Sequence, residues 1–435
     1  MTLVQNLLRP LNGNSYLFAI FILLAVVSCS SVFKKGETTI PDTDSTTVVH
    51  NNHLADVLIE TNDANADEYL SRTWKVALIL PFHLNSIDFY DLETEVNPKA
   101  ILALTFYEGA LLALDSLKKL GLNFEIRLYD TQRDTLALKR ILAKPELKQM
   151  DIIVGPVYSD NLDITARFAR KNNIPMLSPL SPNKSNLAVN KFMLMLTPTI
   201  ETHCENLVRH IKQNYSGATI VLAYSPYLTE DEKSFKNSIK TALDSTFSRS
   251  GADANYREFI QSAVNSAEFD NLLSDTGQNI VLMPSLSESY VSLNLGRIRR
   301  LVKKRNIIVY GLPLWLRFES IDIKYFESLG VHLTNNWFVD YEDPEIKTFR
   351  KKYIETYNIE PSKYAYKGYD TFFFLGKLCL NCGLNFDLLP RDLTWVGLSS
   401  EYNLRPVEVN GIIQRYENSY VNILRFKEFS LISIN

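Results

Sequence analysis

Apolar positions fall in three regimes along the chain. Residues 16–28 (YLFAIFILLAVVS) form an unbroken apolar run that ends at Cys29, with Arg9 upstream. A basic residue, about a dozen apolar residues and small residues before a cut point are the layout of a secretory signal. The run is shorter than the roughly 20 residues that a spanning helix needs. Residues 30 to about 72 are rich in Ser, Thr, Asn and Asp and show no apolar period, which predicts a solvated tether. At Trp74 the pattern changes. KVALILPF (75–82) is continuously apolar, as in a strand covered on both faces. A helix follows over 99–120, where Leu104, Ala110, Leu111, Leu114 and Leu117 recur near helical spacing and Gly121 marks the stop. Strands are then expected at 123–130, 151–157, 174–178 and 191–198, with helices at 135–149 and 160–172 between them. The rhythm repeats, with helices at 201–214, 230–247, 268–273 and 290–304 and strands at 218–224, 257–260, 279–284 and 306–311. Residues 332–340 are extended, and 345–357 and 364–382 are helical. The tail from 407 to 434 alternates apolar and polar residues, as antiparallel strands do. Strand–helix alternation of this kind predicts right-handed βαβ units and an α/β fold with mostly parallel sheets. At 435 residues the chain is too long for one core, so two lobes are expected.

Composition narrows the function classes. The hydrophobic fraction of 46% and charged fraction of 22% are those of a globular protein. A net charge of −3 gives neither the basic excess of a nucleic-acid binder nor an acidic reservoir for cations. Beyond residue 30 no apolar run is long enough to span a bilayer. Four cysteines are few for an exported chain, and without Cys29 the remaining Cys204, Cys379 and Cys382 are odd in number, so at least one thiol stays free or pairs outside the chain. Cys379 and Cys382 sit at the C-terminal end of a helix, the wrong end for a redox motif, and no second ligand pair completes a zinc site. They are expected as a local disulfide or as two buried thiols. The six histidines (50, 53, 83, 203, 210 and 332) show no metal spacing, and no nucleophile elbow, phosphate loop or H-E-x-x-H motif occurs. Neither an enzyme nor a metal or cofactor site is expected. The basic run Arg297, Arg299, Arg300, Lys303, Lys304 and Arg305 suits a solvated helix end or, alternatively, a patch for an acidic partner.

Ligands of open α/β sheets bind beyond the carboxyl ends of the strands, and two such lobes face each other across a closing cleft. His83 follows the first strand, and Asp130, Thr131 and Gln132 follow the second. Gly155-Pro156-Val157-Tyr158-Ser159 follows the third and opens a helix, whose free N–H groups with the Ser159 hydroxyl suit a carboxylate or other anion. Ser178-Pro179-Leu180-Ser181 follows the fourth. Ser159 and Ser181 equally fit simple helix capping. Trp315 and Trp337 offer either stacking surface or core.

Four segments carry a family resemblance: KVALILPF, TFYEGALLALDSLKKLG, IRLYDTQRD and DIIVGPVYSDNLDITARFARKNNIPMLSPLSP. In this order they resemble the first lobe of type I periplasmic binding proteins, the leucine/isoleucine/valine-binding and receptor ligand-binding family. KFMLMLTPTIETHCENL resembles that family's first crossing between lobes, and the tail its C-terminal strands, over roughly residues 73–430. The resemblance implies a two-lobe fold with three interlobe crossings: lobe one at 73–199 plus 340–400, lobe two at 200–339 plus 401–435, after a signal peptide at 1–28 and a tether at 29–72. It also implies that Ser159, Leu180 and Ser181 hold a ligand carboxylate; Tyr158 and His83 join them as ligand-binding candidates from the strand ends. Glu201 falls near an acid that faces the bound ammonium, though it equally suits the first turn of a helix, and Tyr227 falls near the aromatic of lobe two. At the family's second acidic position this chain has Gly311-Leu312-Pro313, with no carboxylate.

Val26-Val27-Ser28 before Cys29 resembles a bacterial lipobox, which implies acylation of Cys29 and stable membrane anchoring. Ser30 in place of Asp implies the outer membrane, with the body facing the periplasm. The expected function is a lipid-anchored solute-binding protein that holds a small polar ligand, an amino acid or similar, for a transporter or sensor. The alternative is a non-enzymatic scaffold of peptidoglycan synthesis, since the chain is remotely similar to penicillin-binding-protein activator lipoproteins; its partner would be a cell-wall synthase.

Overall fold

The computed structural model describes residues 66–86, 97–182, 190–248, 256–261, 266–428 and 430–435. The expected signal peptide, Cys29, most of the tether, His50 and His53 lie outside the described residues. The end of the expected tether is instead helix α1 (Ala66–Ser71). Six residues are too few to show an apolar period, and the helix is held by tertiary packing: Tyr69 and Leu70 lie against the first core, with the Tyr69 ring 6.2 Å from Trp74.

The chain then runs β1 (Thr73–Leu80), α2 (Ile101–Lys119), β2 (Asn123–Asp130), α3 (Thr135–Leu142), β3 (Ile152–Val154), α4 (Ser159–Asn172), β4 (Met176–Ser178) and β5 (Met193–Met195). A second block follows: α5 (Ile200–Asn214), β6 (Thr219–Tyr224), α6 (Glu230–Ser248), β7 (Tyr256–Ile260), α7 (Ser266–Asp270), β8 (Gln278–Leu282), α8 (Glu288–Ile298), β9 (Asn306–Gly311), α9 (Ile323–Ser328) and β10 (His332–Asn335). The last elements are α10 (Pro344–Tyr357), α11 (Lys363–Cys382), β11 (Leu393–Val396), β12 (Glu401–Val409), β13 (Ile412–Asn418), β14 (Asn422–Lys427) and β15 (Ser430–Ser433). The strands form two sheets, ordered β11-β12-β13-β5-β4-β3-β1-β2 and β15-β14-β10-β9-β8-β6-β7. Strands β1 to β5 pair in parallel in the first sheet and β6 to β10 in the second. The antiparallel strands cluster at one edge of each.

The tail divides differently from the expected boundary. Residues 401–418 were expected in lobe two with the rest of the tail, but β12 and β13 extend the first sheet, and only β14 and β15 join the second. Alternation in the tail marks strands and says nothing about which sheet receives them. The register decides it: Tyr416 pairs with Leu194, and Tyr402, Leu404 and Tyr416 are buried in the first core. The chain therefore passes between the sheets three times, at 196–199, 336–343 and 419–421. The first and third crossings are tied together, and the second is tied to the loop at 397–400. The Asn418 amide donates to Leu196 O at 3.1 Å, Asn206 Nδ2 to Ser419 O at 3.0 Å, and Phe338 N to Ser399 O at 2.9 Å.

Both faces of each sheet are covered, which accounts for the continuous apolar run of β1. Its Val76, Leu78 and Leu80 point into one core and its Ala77 and Ile79 into another. On the first face α2 and α11 meet at backbone distance. A Cβ added to Gly109 would stand 1.9 Å from Ala365 O, and one added to Gly368 would stand 1.9 Å from Phe106 O. The two glycines face each other's helices, and this reciprocal contact lets the helices approach closely. Around it, Ser362 Oγ donates to Thr105 Oγ1 at 2.9 Å, Tyr357 OH donates to Glu108 O at 3.1 Å, and Tyr353 OH donates to the buried Glu108 carboxylate.

In the second lobe His332 is buried and stacked on Tyr310, with ring centroids 4.7 Å apart. Its Nδ1–H donates to Gly330 O at 2.6 Å, and its buried Nε2 has no partner among the described residues. Burial, and secondarily the neighbouring His210 and Arg425, hold its pKa down at about 4.

Two expectations follow. Gly368→Ala should destabilise the protein by about 3 kcal/mol or more, because backbone rather than a movable side chain blocks the new methyl group; urea denaturation measures it, and an unchanged midpoint would contradict the close contact. In the unfolded chain the His332 imidazole takes a proton near pH 6.5, but in the folded protein only near pH 4. Folding stability should therefore be full above pH 6.5 and fall by about 3 kcal/mol on this account by pH 4. Denaturation of the wild type and of His332→Phe across that range should show a flatter slope in the variant.

Candidate ligand cleft

The carboxyl ends of β1, β3 and β4 open toward the crossings. Gly155 stands directly after β3 at φ +103°, and a Cβ there would lie 2.3 Å from Ile79 O. Only glycine allows β1 and this turn to sit so close. The chain leaves the turn through Val157 and Tyr158 and enters α4 at Ser159. No side chain caps α4 at its N-cap residue Tyr158, so Ser159 is not the cap that its position allowed. Ser159 is exposed, and Tyr158 is half-buried with the Arg133 guanidinium 4.3 Å above its ring.

Beside this turn lies a cavity of about 300 Å³. The first lobe supplies Leu102, Val157, Tyr158 and Leu180, the second crossing supplies Asn336 and Trp337, and the first turns of α11 supply Lys363, Tyr364 and Lys367. Of the sequence candidates, Tyr158, Leu180 and Trp337 are thus brought together. The others lie elsewhere. Ser181 is 2% exposed and is not on the cavity wall. Glu201 is half-buried in the first turn of α5, behind the Thr199 cap. Tyr227 is 84% exposed, in the turn before α6. His83 has a left-handed backbone, φ 52°, and its N–H donates to Asp130 Oδ1 at 3.1 Å. Asp130 also accepts from Leu84 N at 2.8 Å and Gln132 N at 2.9 Å, so this strand-end carboxylate holds its own loops together. Trp315 is core: it is fully buried, its indole N–H donates to Ser285 O at 2.9 Å, and Gly311 makes room for its ring.

Lys363 and Lys367 are the pair that strand-end reasoning did not reach, because they come from a helix start and not from a strand end. The signal was present in KYAYKGYDTFFFLGKL, where Lys367 and Asp370 stand within a face that is otherwise apolar and aromatic. Lys367 is 4% exposed, and its ammonium donates to Asn336 O at 2.8 Å. Burial pulls its pKa down to about 8, with Asp370 opposing and Lys363 adding to the effect. Burial, with Arg317 facing it, also pulls Lys363 below the usual lysine range. Asp370 is fully buried and is turned away from the cavity. It accepts from Leu398 N at 2.7 Å, Ser399 N at 2.9 Å and Ser399 Oγ at 2.8 Å. Ser399 O in turn receives the Phe338 N–H, so Asp370 fixes the crossing that carries Trp337.

Other constellations are structural. Cys204, Cys379 and Cys382 are buried free thiols, which settles the C-x-x-C pair as two thiols without a disulfide. The basic run lies largely in turns beyond α8; Arg305 pairs with Asp270 at 3.0 Å and with Asp275, and the Arg299 guanidinium lies 5.2 Å from the Tyr325 ring. Among the described residues no His, Cys, Asp or Glu group is placed to hold a metal, and no helix is long and apolar enough to cross a membrane.

Two parallel-sheet lobes, three crossings between them and a partly polar cavity where the strand ends meet the crossings define a two-lobed ligand-binding protein. The family model for periplasmic binding proteins matches residues 98–385, and the chain belongs to that family, which is one of binding proteins and not of enzymes. Solved structures agree on the fold. A Rhodospirillum rubrum protein described as a branched-chain amino acid ABC transporter superposes with a TM-score of 0.60 at 15% identity, over 83% of this chain and 100% of that one. An ABC transporter substrate-binding protein from Desulfitobacterium hafniense in complex with Leu gives 0.51 at 15% identity, over 83% and 100%. Full-length LpoA from Haemophilus influenzae gives 0.54 at 14% identity, over 83% of this chain and 59% of that one. No curated protein matches the chain.

Asp370→Ala should cost about 3 kcal/mol or more, since it strands three donors at once, two of them buried. Loosening of the segment at 398–399 should also appear as faster amide exchange at Phe338. Protection at Phe338 equal to wild type would contradict the positioning role.

Proposed function

We propose that this protein is a lipid-anchored periplasmic solute-binding protein, which captures a small polar organic ligand in the cleft and presents it to a transporter or sensor. The observation that carries the reading is the cavity of about 300 Å³ walled by Tyr158, Leu180, Trp337 and Tyr364 and floored by two lysines. It combines apolar surface with a few convergent polar groups, as small-molecule sites do. The solved relative that holds Leu belongs to the same fold and supports a ligand of that size. Ser159 would contribute through its exposed position at the uncapped start of α4. Ser181, Glu201, Tyr227 and His83 would reach a ligand only after movement of the lobes. Acylation of Cys29 would hold the body at the outer membrane, facing the periplasm.

The reading is tested by native purification followed by mass spectrometry of released small molecules, together with the fluorescence of Trp337. A released compound whose return quenches or shifts that fluorescence is the expected result. An empty cleft, with a cell-wall synthase captured by the folded protein, would support the scaffold alternative instead. For the anchor, Cys29→Ser should move the protein from the membrane fraction to the soluble periplasmic fraction; retention in the membrane would exclude lipidation at that thiol.

A further inference from the structure

The amino-acid ligands of a binding cleft carry two opposite charges, and the cleft must answer both. Among the described lining residues only one sign is answered. Lys363 and Lys367 line the cavity, Arg317 faces Lys363 from the second lobe, and none of the nine described lining residues is a carboxylate. Lys367 is 4% exposed, aims into the cavity, and among the described residues makes one hydrogen bond, to Asn336 O. A buried ammonium has three N–H donors, so the geometry leaves donors for an anion. Two buried acids, one in each lobe, are already occupied. Asp370 serves the 398–399 segment, and Glu232, at the strand ends of the second lobe, accepts from Thr229 N, Thr229 Oγ1, Ser285 Oγ and Leu286 N. A ligand ammonium placed here would meet two lysines with no carboxylate among the described lining residues to offset them, whereas a carboxylate would relieve their burial and mutual repulsion.

Resting on the solute-binding reading, we propose that the cleft selects an organic anion without an ammonium group, an apolar or aromatic carboxylic acid such as a 2-oxo acid, over the zwitterionic amino acid with the same side chain. The carboxylate docks on Lys363 and Lys367, and the apolar tail lies against Leu102, Tyr158 and Trp337.

Calorimetric titration of the full-length protein with matched pairs tests this: 4-methyl-2-oxopentanoate against leucine, and phenylpyruvate against phenylalanine. At least tenfold tighter binding of the oxo acid in one pair is expected. Lys363→Gln should weaken that binding tenfold or more, as should Lys367→Met if it folds. The half-buried Lys363 variant carries the test if the buried one does not. Tighter binding of the amino acid, or oxo-acid affinity unchanged in Lys363→Gln, overturns this inference while leaving solute binding in place. No binding by either member of both pairs also overturns it, and an empty cleft in the native protein then removes the solute-binding reading as well.

Discussion

The structure depends on one backbone contact, the meeting of α2 and α11 through Gly109 and Gly368. Side chains of any size on either glycine would push the helices apart. The consequences run along α11. Its first turns bring Lys363, Tyr364 and Lys367 to the mouth of the first sheet, and its third turn places Asp370 where it pins residues 398 and 399. Those residues hold Phe338 and so position Trp337. A few ångströms of helix separation would dissolve the cavity wall and the crossing together. Packing between these helices and the specificity of the cleft are thus one physical problem.

The cleft is built to bind. Its polar groups are held by burial and by backbone carbonyls, and the described lining residues include neither a nucleophile beside a base nor a pair of acids. The described lining residues include two lysines and no carboxylate, and the proposed preference for an organic anion rests on that balance. Family membership establishes the scaffold and its general activity, but the ligand is chosen by the few side chains at the mouth. In this chain those are cations set among aromatic rings.

Much of the fold was legible. The continuous run of β1, the helical spacing in α2 and the repeated strand–helix alternation each reflect a local rule: a strand buried on two faces must be apolar at every position, and a helix buried on one face must be apolar every third or fourth residue. Tyr158 and Leu180 lie on the cavity wall as expected of strand ends, which topology alone points toward a cleft. Lys367 escaped because a lysine in an apolar helix reads as an anomaly until its neighbours are known. Tyr227 and Ser181 matched their positions in a pattern, but exposure and burial are not written in a pattern.

By itself the sequence determined two α/β lobes of alternating strands and helices, because these follow from periodicity and chain length, while the three crossings came from the family resemblance and not from any local pattern. Tertiary structure alone decided that β12 and β13 close the first sheet, that Asp370 spends its charge on the 398–399 segment, and that Lys367 is left facing the cavity. Each of these depends on contacts between residues tens to hundreds of positions apart, and no local pattern encodes which distant partner satisfies a strand edge or a buried charge.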